Sequence, residues 1–192
     1  MIAVFKVESS YLNQRELICI GFKKLGSNVL ISRKASIYEA CKMEIGDNSR
    51  IDDFYCISGN IKIGRNCHIT PYCLLAGGIP GIEINDYCTL AYRVSIFSQS
   101  DDYSGESMTN STIPRRFKRE YMARVLLEDH VIVGCGSVIF PGVVVSKGSA
   151  IGALSLVNRS TTPWTINFGI PALPRGERSR NLLDKLKSML CA

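Results

Sequence analysis

Residues 131–157 read VIVGCGSVIFPGVVVSKGSAIGALSLV, and within them an aliphatic residue returns at every sixth position: Val133, Ile139, Val145, Ile151 and Val157. Neither an amphipathic helix nor a simple alternating strand has this period. A short strand followed by a turn has it, provided that the unit repeats. The same spacing extends back to Leu127. Before a long interruption it runs through Ile45, Ile51, Ile57, Ile63, Ile69 and Leu75, then Ile84, Leu90 and Ile96, with a weaker start at Ile31 and Ile37. Three such units close a triangular coil of about eighteen residues, which pairs with the next coil at the ordinary strand spacing of about 4.8 Å. The expected fold is an all-β solenoid, and such a stack needs caps on its open ends.

A second restricted slot lies four positions after the aliphatic. It holds Ser49, Cys67, Cys73, Cys88, Val94, Ser100, Val131, Ser137, Val143, Ser149, Ser155 and Thr161. Three of the eight cysteines therefore stand where Ser, Thr or Val stand elsewhere, and they read as small packing residues. The chain has no C-x-x-C pair and no export signal is evident, so reduced thiols are expected rather than a disulfide framework. The first residues reach Lys6 and Glu8 before an apolar signal core is built, and no later run suits a membrane span. A cytoplasmic protein without a membrane span is expected. With 192 residues, 46% of them hydrophobic and 21% charged, one compact domain with a short appendage is expected.

The ends carry the caps. Residues 11–25 suggest a short helix opened by Ser9 or Ser10 and broken near Gly21. Residues 176–190 place Leu182, Leu183, Leu186 and Leu190 at helical spacing, which predicts a C-terminal amphipathic helix. Two insertions break the repeat, Gly77 to Glu83 and Phe97 to Arg124. By count, Ile63, Ile69 and Leu75 are three successive edges, and Ile84, Leu90 and Ile96 repeat them one coil later. Leu75 and Ile96 then stack, and both insertions leave the solenoid at the same corner. Loops that converge on one corner of a rigid scaffold commonly carry function.

The stretch quoted first, followed by PWTINFGIPALPRGERSR, resembles the hexapeptide-repeat acyltransferases, and is similar to the C-terminal part of their sugar O-acetyltransferases. The resemblance implies a left-handed parallel β-helix spanning residues 28–162 with the inserted loop 97–124. Residues 1–27 would be the N-terminal cap and residues 163–192 a C-terminal extension and helix. It also implies an acetyltransferase that moves an acetyl group from acetyl-CoA to a sugar hydroxyl, in surface polysaccharide synthesis, and that self-associates as a homotrimer. Two further readings stay open: N-acetylation of a nucleotide-linked amino sugar, and a non-catalytic acyl-CoA-binding or assembly module.

Acetyl transfer needs a proton acceptor, donors for the oxyanion and grip on the cofactor. Where the family usually supplies a histidine, this chain has Asp101, followed by Asp102. Both are catalytic candidates, and mutual repulsion would raise one pKa if they were held close. Their alternative role is to cap backbone amides in a turn. His68 is the third catalytic candidate. His130 reads as an exposed turn residue. The resemblance puts the pantetheine arm beside Gly134, Cys135, Gly152 and Ala153, although glycine also suits tight corners. It also matches Trp164 and Pro171 to the segment after the last coil, where Trp164 serves equally well as a core anchor. Arg175 and Arg178 would meet cofactor phosphates.

The net charge of +6 is clustered around Arg115, Arg116, Lys118, Arg119 and Arg124, and again between Arg175 and Lys187. Solvated faces or phosphate-bearing partners explain such clusters, while nucleic acid does not, because aromatic interleaving is lacking. No metal is expected, since the hexapeptide-repeat hydratases use three histidines and this chain has two.

Overall fold

The computed structural model describes residues 10–191. The reading of the first eight residues and the proposed cap at Ser9 lie outside them. The chain folds as a parallel β-solenoid whose three faces are three sheets. Sheet one runs through Lys24–Leu25, Met43–Ile45, Ile61–Ile63, Ile82–Ile84, Val125–Leu127 and Val144–Val145. Sheet two contains Leu30–Ile31, Arg50–Ile51, His68–Ile69, Thr89–Leu90, Ile132–Val133 and Ala150–Ile151, and sheet three includes Cys56–Ser58, Leu74–Ala76, Ser95–Phe97 and Val138–Ile139.

Every aliphatic of the six-residue series from Ile45 to Val157 is buried. Together they form one continuous apolar axis. In the slot four positions later, the serines and cysteines add hydrogen bonds to packing, whereas Val94, Val131 and Val143 only pack. Ser49 Oγ donates to the Gly64 carbonyl (2.8 Å) and Ser137 Oγ to the Gly152 carbonyl (2.8 Å). Cys67, Cys73 and Cys88 donate their thiols to the carbonyls of Asn85, Ala91 and Glu128 at 3.0–3.2 Å. A short side chain with a donor thereby reaches a carbonyl of the neighbouring coil. The cysteines are packing residues with a polar use.

The N-terminal helix α1 spans Gln14–Ile20, shorter than expected, and its N-cap is Asn13 rather than a serine. Asn13 accepts from the amides of Arg15 and Glu16, while the Glu16 carboxylate accepts from the Asn13 amide (2.7 Å). This capping box satisfies orphan donors from both sides. Ser10 and Leu12 instead pair with the first coil, through Arg33 N–H to the Ser10 carbonyl and Leu12 N–H to the Ile31 carbonyl. The helix breaks at Gly21 in the left-handed region (φ 77°), as the sequence suggested.

The C-terminal helix α2 spans only Leu182–Leu190. Residues 176 and 177, read as its start, instead end the strand Ala172–Glu177, which folds back on Thr165–Gly169 in an antiparallel hairpin and extends sheet two. Gly169, at φ 110°, permits the reversal. Among the described residues, no helix is long and apolar enough to cross a membrane.

Candidate active site

The register confirms the counted edges: Ile63 pairs with Ile84, Ile69 with Leu90 and Leu75 with Ile96. Both insertions leave sheet three at the corner leading to sheet one. They touch there, since a Cβ on Gly78 would strike the Gln99 side chain. The longer loop is ordered by its own bonds. Gln99–Ser100 pairs antiparallel with Tyr121–Met122, and Ser98, fully buried, donates to the Gly77 carbonyl.

Asp101 lines a cavity of about 260 Å³ together with Phe97, Gln99, Ser100, Tyr103, Phe140 and Pro141. Its carboxylate accepts from the Asn110 amide (3.3 Å). Phe97 and Phe140 were legible as wall residues, because each follows a counted aliphatic, Ile96 and Ile139, and those two pair. Gln99 and Tyr103 had no such signal.

Asp102 points to different partners. Its carboxylate accepts from the amide and hydroxyl of Ser104 (2.8 and 2.7 Å) and from those of Ser107 (3.1 and 2.9 Å). These bonds, led by the Ser104 hydroxyl, hold its pKa down to about 2. The expected mutual elevation of the two carboxylates therefore does not reach Asp102. It organises the turn and stays ionised. Because the folded value lies below the unfolded one, this contribution is complete above about pH 4 and disappears as pH falls toward 2. The backbone amide resonances of Ser104 and Ser107 should accordingly titrate near pH 2, and lose that titration in Asp102→Asn.

The basic cluster of this loop is largely neutralised within the chain. Lys118 pairs with Glu120 (2.9 Å), Arg115 lies 3.9 Å from Glu120, Arg119 3.4 Å from Glu106, and Arg124 pairs with Glu83. Arg116 packs over the Phe117 ring. A role in holding external phosphates loses its support for the paired four.

His68 lies on sheet two, away from Asp101 within the chain. Its Nε2 is 2.9 Å from Asp52 Oδ2. Asp52 also accepts from Tyr11 Oη (3.0 Å) and Arg50 Nε (2.6 Å). Burial alone would raise its pKa, but the bonds from Arg50, His68 and Tyr11 outweigh burial and lower it. An ionised Asp52 makes Nε2 the donor and leaves Nδ1 as the open acceptor.

His130 is buried rather than exposed. It sits at φ 62° and stacks on Tyr87 with ring centroids 5.1 Å apart. Burial lowers its pKa.

The residues proposed for the cofactor divide into two groups. A Cβ on Gly134 would lie 2.9 Å from Ala153 Cα, and one on Gly152 would lie 2.7 Å from Phe168 Cβ, so these glycines have a packing reason of their own. Trp164 is buried over Gly148 and acts as a corner anchor. Arg178 Nη1 donates to the carbonyls of His130, Gly148 and Ser149 (2.7, 2.9 and 3.3 Å), which commits it to the backbone instead of a phosphate. Cys135, Ala153, Pro171 and Arg175 are exposed, Arg175 lying over the Phe168 ring at 5.5 Å.

No protein-family model matches the chain. The solenoid and the relatives that the chain matches show its class: the chain belongs to the hexapeptide-repeat acyltransferases. It is 42% identical over 178 residues to the dTDP-4-amino-4,6-dideoxy-D-glucose acyltransferase of Escherichia coli, covering 91% of this chain and 92% of that one. AntD, an N-acyltransferase from Bacillus cereus solved with dTDP and 3-hydroxybutyryl-CoA, superposes with a TM-score of 0.93 at 41% identity, over 95% of this chain and 97% of that one. The galactoside O-acetyltransferase of Lactococcus lactis is more distant, 31% identical over 125 residues and matched over 58% of this chain and 60% of its own length.

Proposed function

We propose that this acyltransferase moves an acyl group, acetyl in the first instance, from acyl-CoA to the amino group of a dTDP-linked amino sugar. The observation that carries the reading is 42% identity, over nearly the full length, to an acyltransferase named for such a sugar. The complex of AntD with dTDP and an acyl-CoA supports it. The leading expectation from sequence, a hydroxyl acceptor, gives way to the amine.

The exchange of histidine for Asp101 fits this change of acceptor. A sugar hydroxyl must lose its proton as it attacks, which asks for a base stronger than an ordinary carboxylate. A neutral amine attacks the thioester carbon with its lone pair, and the C–N bond forms first. The nitrogen is then strongly acidic, and a carboxylate such as Asp101 suffices to take its proton while the C–S bond breaks and coenzyme A leaves as thiolate. No covalent enzyme intermediate is needed. Self-association as a trimer belongs to the same reading, because a neighbouring copy would close the open cavity beside Asp101. So does a cytoplasmic location, where coenzyme A and nucleotide sugars are found.

Acetyl-CoA and dTDP-4-amino-4,6-dideoxyglucose should yield a product heavier by one acetyl group that survives mild base. A base-labile ester on a neutral galactoside, with the amino sugar left unchanged, would overturn the reading.

A further inference from the structure

Asp52 is the only buried carboxylate among the described residues. Nothing in the solenoid repeat calls for it. It occupies the position just after a sheet-two strand, and successive coils fill that column with Asp52, Thr70, Ala91, Gly134 and Gly152, each donating its amide to the coil above. The other four are small and, apart from Thr70, apolar. A buried charge is costly unless it is held by partners, and here three side chains hold it. One of them, His68, is about two-fifths exposed along its side chain. Its Nδ1 has no hydrogen-bond partner among the described residues.

The column links this pair to the proposed donor path. Gly134 and Gly152 flank the exposed Cys135 and Ala153, beside which the pantetheine arm is placed. His68 pairs in register with Thr89, and Thr89 with Ile132, so the imidazole lies two coils from Gly134, about 10 Å at the usual strand spacing. An arm that follows the small residues toward the N-terminal coils brings its thioester to the level of His68.

We propose that Asp52 is a positioning residue that holds His68 with Nδ1 free, and that His68 takes the first proton from the acceptor ammonium so that a neutral amine can attack. This rests on the function proposed above. An ammonium loses two protons on becoming an amide. Because His68 and Asp101 lie apart within one chain, they meet only between copies of the proposed trimer: His68 of one copy receives the proton lost before attack, and Asp101 of its neighbour the one lost after the C–N bond forms. A base oriented by a buried carboxylate is a recurrent catalytic arrangement. Charged and titratable groups beside His68 include Asp52, Arg50 on the preceding coil and Tyr11 from the N-terminal stretch, with Tyr92 acting on Arg50; Thr89 on the following coil is uncharged.

The test is the pH dependence of amino-sugar acetylation by the full chain. Wild type should lose activity on the acidic side of the profile. His68→Gln, at a half-buried position, should lower kcat about 10²-fold and abolish that limb. Asp52→Asn should lower kcat about 10-fold with KM for both substrates within about 2-fold, because the imidazole loses the partner that fixes its tautomer. If both variants keep the wild-type limb and kcat, even with a lower Tm for Asp52→Asn, the pair only straps down the N-terminal stretch and the proposal is wrong while the function stands. If wild type acetylates no amino sugar, the proposed function fails, and this proposal with it.

Discussion

Asp101→Asn is expected to lower kcat for amino-sugar acylation by about 10²-fold or more, the usual range for loss of a proton acceptor. The amide keeps the size of the side chain and can still accept from the Asn110 amide, so the loop that carries it should persist. KM for acyl-CoA should change little, because the cavity walls Phe97, Phe140 and Pro141 remain. Asp102→Asn offers the contrast. Its four bonds to Ser104 and Ser107 hold the turn, so its loss should raise KM for the acceptor more than it lowers kcat. Unchanged kcat in Asp101→Asn would remove that carboxylate from the chemistry.

Gly134→Ala is expected to have the largest effect on stability. The new Cβ would meet backbone, Gly152 C at 2.7 Å and Ala153 Cα at 2.9 Å, and a coil cannot move aside as a side chain can. Overpacking of this kind costs about 3 kcal/mol, which for a chain of this size lowers Tm by about 6–12 °C. The exposed neighbour separates packing from cofactor contact. Ala153→Leu should leave thermal unfolding almost unchanged while raising KM for acyl-CoA several-fold, if the arm passes there as proposed. Equal melting of Gly134→Ala and wild type would show that the coils tolerate wider spacing than their hydrogen bonds suggest.

Much of this architecture was legible before any coordinate. The aliphatic of every sixth position is buried from Ile45 to Val157, and the counted pairing of Leu75 with Ile96 is the observed register. The start of α1 was also present in the sequence, since Asn13 and Glu16 form a capping box; the serines nearer the terminus drew the boundary too early. The hairpin of residues 165–177 lay in a stretch read only as an extension, because its antiparallel strands do not continue the period of six.

The sequence by itself determined the solenoid, its corners and the place where two loops converge, because these depend on backbone repetition and on which residues leave water. A period of six is a property of the chain and survives any choice of rotamer. The tertiary structure alone decided what individual side chains do. Asp101 and Asp102 are adjacent and of one kind, yet Asp101 lines the cavity walled by Phe97 and Phe140, while Asp102 accepts its bonds from Ser104 and Ser107 of its own turn. Arg178 is a cation drawn inward to three carbonyls. His68 and Asp52 are sixteen residues apart, and they meet because one coil later the chain returns almost to its starting point. Charge and hydrogen-bonding capacity are written in the residue type, but their use is set by distances of about 3 Å, which only the assembled coils define.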